Sequence, residues 1–386
     1  MSDTTRGYVR HEHFGAVLYD PRTGRYLHVS HDATARIDAD PACWPGRGPS
    51  GSDAPRQLTH IRNPRVRERV LSAPLKAFFN ITKRCNLHCT HCYNSSGEPD
   101  SPELELPHVL ATLRELERRG VFKVTLAGGE PLVHRDIDAI LSALHGSDLW
   151  VTLITNGLRL TDRVASALAA TDSMKAVTVS IDGATPEAHD QVRGPHTFAR
   201  AMDGLVRLRR RFDRPVSVRV TLMQPNIDGI LALPRQLVAM GIDELKVNRV
   251  NPYGRARSNP ALLLDESAYA ATLEALLEEC ARLGLRLEVP AFKYKTTIGN
   301  QEGLCRAGEE TCEIDGDGGV YPCSFCFGRF LAGHVQHGCF DDIFAALQRH
   351  SINNEWCYGC RGRGGRAEKT VGYVPKLIEV AEVLAH

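Results

Sequence analysis

The chain has 386 residues, 42% of them hydrophobic, enough to bury one large core with a smaller appendage, which excludes a fibrous or wholly disordered protein. Forty-seven Lys and Arg face 46 Asp and Glu, and at a formal net charge of +1 no global field draws the protein to nucleic acid or to an anionic membrane. No apolar run is long enough to span a bilayer, and residues 1–10 lack the apolar stretch of a secretory signal, so the expected location is the cytoplasm.

In chain order, residues 14–29 read as two short apolar runs around Asp20-Pro21-Arg22-Thr23-Gly24, the turn chemistry of a β-hairpin. Residues 38–64 are rich in Pro, Gly, Ser and Asp without an amphipathic period, and are expected to form loop or linker. Residues 1–74 are therefore expected to be an N-terminal hairpin and linker.

From Leu75 the pattern changes to β-rich runs alternating with amphipathic helices. The expected strands are 76–82, 121–128, 149–156, 176–182, 215–223 and 243–250, and the helices between them 101–119, 137–144, 162–169, 197–210 and 230–240. Six β/α units with near-continuous apolar strands imply an α/β fold with a helix-covered parallel sheet, either open and doubly wound or an incomplete barrel. In both cases the site belongs at the carboxyl ends of the strands. The basic run 207–214 interleaves Leu208 and Phe212 at a helix end, which reads as a solvated helix face rather than a nucleic-acid contact.

A helix over 267–283 and a short strand over 285–289 lead into residues 301–386, which are rich in Cys and Gly with one periodic run, 341–349. So thin a core is expected to need metal to hold it.

The 12 cysteines are expected to ligate metal, because cytosolic thiols stay reduced and a chain of this length needs no staples. Cys43 and Cys280 stand apart and receive no role. Cys85, Cys89 and Cys92 leave the first expected strand together, and three thiolates on an iron–sulfur cubane leave one iron open. The bland reading is zinc, but that ion usually takes four ligands, with only His88 and His91 nearby.

The stretch Cys-Asn-Leu-His-Cys-Thr-His-Cys-Tyr, ending in Tyr93, resembles the signature of the radical S-adenosylmethionine (SAM) superfamily. The resemblance extends to Gly128-Gly129-Glu130-Pro131, Thr155-Asn156-Gly157, Ser180-Ile181-Asp182-Gly183, Arg193-Gly194 and the stretch 248–255, each just after a successive strand. It implies a partial (β/α)6 barrel of the radical SAM type over residues 75–300. It also implies a 4Fe–4S cluster on Cys85, Cys89 and Cys92, and a SAM pocket of Tyr93, Gly128, Gly129, Glu130, Pro131, Asn156, Ser180, Asp182 and Arg193. For Asn156 and Asp182 an ordinary turn role is an equal reading. The implied chemistry is reductive cleavage of SAM to a 5′-deoxyadenosyl radical that abstracts a substrate hydrogen.

The C-terminal thiols are Cys305, Cys312, Cys323, Cys326, Cys339, Cys357 and Cys360. The stretch 305–323 resembles the entry to a SPASM-type auxiliary-cluster domain, as found in mycofactocin maturases. Arg366 and Thr370 stand where a full SPASM pattern has its last two cysteines, so a standard pair of auxiliary clusters is not expected. At least one is, using Cys305, Cys312 and Cys323, with Cys326 and Cys339 as substitutes; a zinc ribbon is the alternative.

Relatives with this extension mostly modify peptides, which implies a ribosomally made peptide substrate and a ferredoxin or flavodoxin as electron donor. The N-terminal hairpin reads as a truncated peptide-recognition domain, calling for a separate recognition protein, or as a cap on the barrel's open edge. Two alternatives remain: a radical SAM enzyme acting on a small molecule such as a tetrapyrrole or sugar, and a non-catalytic, metal-stabilised interaction protein.

Overall fold

In the computed structural model, which describes residues 6–45, 54–64, 71–289 and 307–350, the first element is an antiparallel meander. It consists of β1 (Arg6–Glu12), β2 (Gly15–Asp20) and β3 (Arg25–Ser30); α1 (His31–Ala39) follows, and β4 (Gln57–Ile61) adds parallel to β1. The expected hairpin is β2 with β3, but a four-stranded sheet with a helix replaces the truncated unit. Ser30 caps α1 by accepting from the Ala33 amide, and the helix packs Ala33 and Ile37 on Val9, Ala16, Leu18 and Val29. β4 falls inside the stretch read as linker. It buries only Ile61 fully, too little to print a strand period, and exists because β1 offers it an edge.

This sheet does not cap an open edge of the barrel; it lies beneath the amino ends of the strands. The buried Arg10 donates to the carbonyls of Pro74 and Gly120, each 3.0 Å away, and pairs with the buried Glu12 at 2.9 Å. Tyr26 donates to the Leu75 carbonyl, and Tyr8 and Tyr19 each pack on Phe122 with ring centroids 4.4 Å apart.

The main sheet follows as β5 (Lys76–Thr82), α2 (Leu106–Arg118), β6 (Lys123–Gly128), α3 (Ile137–Ala143), β7 (Trp150–Thr155), α4 (Asp162–Ala170), β8 (Met174–Ser180), α5 (Pro186–Arg193), α6 (Phe198–Arg211), β9 (Val216–Leu222), α7 (Leu233–Ala239) and β10 (Glu244–Arg249). Neighbouring strands follow chain order from β5 to β10, all parallel. A doubly wound sheet reverses its order midway; this one does not, so it winds as a barrel does. The barrel stays open: β5 and β10 do not pair. After α8 (Glu266–Leu283), β11 (Arg286–Glu288) flanks β10, and β12 (Thr311–Ile314), β13 (Gly319–Tyr321) and β14 (Gly333–His334) continue the sheet beyond β5. The last described helix is α9 (Phe340–His350).

Alternation along β5 buries Ala77, Phe79 and Ile81 under the helices and turns Phe78, Asn80 and Thr82 to the concave face. Helix α2 begins five residues later than expected, because Glu103 is bridged to Thr82 and Pro107 sets the first turn. Helix α5, capped by Thr185 and opened by Pro186, is too short and polar to show a period.

The expectation of a thin C-terminal core does not hold for residues 307–350. Ile314, Val320, Ile343, Phe344 and Leu347 belong to the same apolar core as the barrel, so burial contributes to their order. Among the described residues no helix is long and apolar enough to cross a membrane.

Candidate metal centre

The loop after β5 carries Cys85, Cys89 and Cys92 and is held mainly by backbone. The Gly129 amide donates to the Thr82 carbonyl at 2.8 Å and the Glu130 amide to that of Arg84 at 2.9 Å. A Cβ on Gly129 would stand 2.3 Å from the Arg84 oxygen, so only glycine lets the β6 turn come this close. On the opposite side, Thr90 donates to the Val192 carbonyl at the end of α5. After β10, Gly254 has φ +54° and presses on the Cys92 and Tyr93 carbonyls. Beside it Arg255 donates from its amide to Cys92 at 3.0 Å, from Nε to the Cys89 carbonyl at 2.8 Å and from Nη2 to that of Ser96 at 2.9 Å.

Behind the loop, the fully buried Asp182 accepts from Arg193 Nε at 2.6 Å and from the Thr221 amide at 2.7 Å, and stands 3.2 Å from His91 Nε2. Against the cost of burial, Arg193 and then His91 hold its carboxyl well below the usual carboxylate range. Arg193 in turn lies within electrostatic reach of Cys89 and Cys85. Burial pushes the Cys85 thiol up to about 12 and also raises Cys89, where Arg193 opposes the shift.

The Glu130 side chain is occupied inside the protein: it accepts from the Leu132 amide, Thr155 Oγ1 and the Asn156 amide at 2.6–3.0 Å. Burial pushes its carboxyl up to about 7 despite these donors. It ties the β6 and β7 turns together, and Pro131 opens the adjoining single turn. Asn156 donates to Asn86 in the cysteine loop at 2.8 Å, with Cys85 Sγ 4.0 Å away. The structure thus brings Gly128, Gly129, Glu130, Asn156, Asp182 and Arg193 to the loop. Ser180 ends β8 opposite Arg219 of β9, and Tyr93 stacks on Phe327 at 6.4 Å.

Sequence reasoning missed Arg219, Glu313 and the positioning role of His91. Arg219 occupies the concave position between the fully buried Val218 and Val220; among the described residues its enclosed Nε has no hydrogen-bond partner, and burial lowers its affinity for a proton. Glu313, on the concave side of β12, accepts from Asn80 Nδ2 at 3.1 Å, and burial pushes its carboxyl up to about 8. The only advance signal was a charged residue at an apolar-strand position, which for Arg219 sits in the middle of Val-Ser-Val-Arg-Val.

The C-terminal cysteines separate into different surroundings. Cys312 is 1% exposed and pairs with Ala77 in register, on the helix-covered side of the sheet. It belongs to the apolar core, and the expectation that it ligates metal beside Cys323 is corrected on that ground. Cys339 is exposed near Asp341, within electrostatic reach of Arg118. Cys323 and Cys326 face each other with sulfurs 3.6 Å apart. Between them and just after, Phe325 packs on Tyr253 and Phe327 on Tyr93, which sets this pair against the first cysteine loop. Cys305, Cys357 and Cys360 lie outside the described residues.

The donor set fits a cluster better than a single ion. The sulfurs of Cys85, Cys89 and Cys92 do not all lie within 4.8 Å of one another, whereas tetrahedral zinc thiolates stand about 3.8 Å apart. Three separated sulfurs around one loop suit the corners of a cubane. The Cys323–Cys326 spacing matches two thiolates on one metal atom, within a zinc site or at one iron of a cluster.

Comparison with known proteins agrees with this geometry. Residues 79–232 match the radical SAM superfamily. Mycofactocin maturase MftC of Mycobacterium ulcerans is 34% identical over 288 residues, covering 72% of this chain and 76% of the relative. The AdoMet-dependent heme synthase of Methanosarcina barkeri is 27% identical over 296 residues, covering 71% and 82%. Streptococcus suis SuiB, solved with its precursor peptide SuiA, shares the fold with a TM-score of 0.69 at 15% identity, over 88% of this chain and 87% of that one.

Proposed function

As the chain belongs to the radical SAM superfamily, we propose that it takes a hydrogen atom from a ribosomally made peptide as the first step of a post-translational modification. The observation that carries this reading is the loop 83–97, fixed from the β6 turn, the end of α5 and the segment after β10, with Arg193 and Asp182 behind its thiols. When bound, the 4Fe–4S cluster supplies the electron that splits the SAM sulfonium, and the resulting 5′-deoxyadenosyl radical removes the substrate hydrogen.

The protein's own residues have positional and electrostatic work. Cys85, Cys89 and Cys92 would hold the cluster. Arg193 and the Arg255 guanidinium place positive charge at the thiolates and their backbone, favouring the ionised sulfurs that metal requires. Asp182 fixes Arg193 and His91 in place. Gly128, Gly129, Glu130 and Pro131 shape the turn facing the cluster, and with Tyr93, Asn156 and Ser180 they line the SAM pocket. Arg219 offers the concave face a guanidinium whose Nε is enclosed and unused among the described residues, suited to a carboxylate of SAM or of the substrate.

The auxiliary centre takes Cys323 and Cys326. Residues 75–300 are read as the catalytic core and 301–386 as its auxiliary extension. Reduced thiols and low-potential clusters suit the cytoplasm, with a ferredoxin or flavodoxin as donor and, for leader capture, a separate recognition protein. Similarity to the heme synthase supports a second reading, a tetrapyrrole substrate.

The test is anaerobic reconstitution, an iron count and reductant-dependent conversion of SAM to 5′-deoxyadenosine, with and without candidate precursor peptides. Deoxyadenosine formed together with a mass change on a peptide supports the proposal. Cleavage coupled to a tetrapyrrole instead would move the substrate to the second reading, and zinc without cleavage would overturn both.

A further inference from the structure

Away from the cysteines, one group of side chains converges as metal ligands do. His11 on β1, His60 on β4 and Asp38 in the last turn of α1 place one ligand atom each within 4.8 Å of the other two, and among the described residues no other trio of His, Cys, Asp or Glu does so. His11 Nε2 stands 3.1 Å from His60 Nδ1, and His60 Nδ1 3.8 Å from Asp38 Oδ1. Nitrogen ligands on tetrahedral zinc stand about 3.3 Å apart, so the two measured spacings bracket what an ion of that size needs.

We propose that these residues bind a divalent transition metal of zinc's class, with water completing the shell. Imidazoles favour such ions over magnesium or calcium, and two histidines with one carboxylate form a recurrent three-ligand set. The register explains why the trio meets. Val9 pairs with His60 across β1 and β4, so His11 and His60 lie on the sheet face that α1 covers, at its rim, where the helix ends in Asp38. Each ligand comes from a different element. The metal would therefore join β4, which only β1 holds within the sheet, to the helix end. The two rings share an imidazole hydrogen bond, in which one ring presents an N–H to the other's lone pair.

The experiment uses the full chain with its iron–sulfur sites loaded anaerobically, so that thiols are not competing ligands. Zinc is added, free metal is removed by dialysis, and zinc per chain is measured for wild type, His60→Gln and Asp38→Asn. Wild type is expected to retain one more equivalent than either variant. Added Co2+ should give a weak visible band without thiolate charge transfer, and only in wild type. Because His60 and Asp38 are exposed, both variants are expected to fold; unchanged circular dichroism checks this. Equal zinc retention in all three proteins, or a cobalt spectrum dominated by sulfur, would overturn the proposal. The readout is metal content, so its outcome is independent of whether SAM is cleaved.

Discussion

Cys85, Cys89 and Cys92 sit on one loop pinned by amides of the β6 turn, by the Val192 carbonyl at the end of α5 and by the Arg255 amide and guanidinium after β10. Cys312, Cys323, Cys326 and Cys339 are distributed over a core strand, a turn and a helix start, and only Cys323 and Cys326 meet. The first group is held by protein contacts on three sides, as a catalytic centre requires. The second is organised only as far as the sheet carries it. Cysteine spacing therefore means different things in the two places.

The sharpest way to break the contrast is Cys89→Ala. SAM cleavage is expected to fall to background and iron by about four per chain, read by deoxyadenosine assay and metal analysis. Surviving cleavage would dissolve the distinction. Next, Cys323→Ala should remove auxiliary metal and product formation while some uncoupled SAM cleavage persists; iron equal to wild type would show that the pair binds none. Arg193→Gln leaves every thiol in place, and an expected loss of about 10- to 100-fold in activity, with a shifted cluster potential by EPR titration, would show that the surrounding charge matters.

A pH test probes the concave face between the two groups. The Glu313 carboxyl is raised from its unfolded value to about 8, so the folded state binds its proton more tightly and stability is lost as pH rises from about 4.5 towards 8. Glu313→Gln is neutral throughout and should raise Tm more at pH 8.5 than at pH 5. An equal shift at both would refute the buried titration. The smallest effect belongs to Cys312→Val, with iron unchanged and stability within about 1.5 kcal/mol of wild type; lost iron would return Cys312 to the ligands.

Much of this was legible in advance, for identifiable reasons. The strand Lys76–Thr82 was read to the residue, because a buried parallel strand is a continuous apolar run closed by a polar loop. Gly129 was readable because a Cβ there would stand 2.3 Å from the Arg84 carbonyl oxygen, a place that admits only glycine. Cys312 misled because spacing cannot say which face of a strand a thiol takes, and one position earlier or later would have turned it to the concave side. The N-terminal sheet was half legible: β1 and β4 are ordered by each other and by Arg10 reaching two carbonyls far along the chain, and no local pattern encodes such contacts.

The placement of that sheet under the amino ends of the strands sets a length requirement. The cysteine loop leaves the opposite end of β5, whose seven residues span about 23 Å at about 3.3 Å each. An extended chain covers at most about 3.6 Å per residue, so a peptide held at the N-terminal sheet needs a tether of at least about seven residues before its reacting position reaches the site. A precursor with a shorter spacing would have to be held elsewhere.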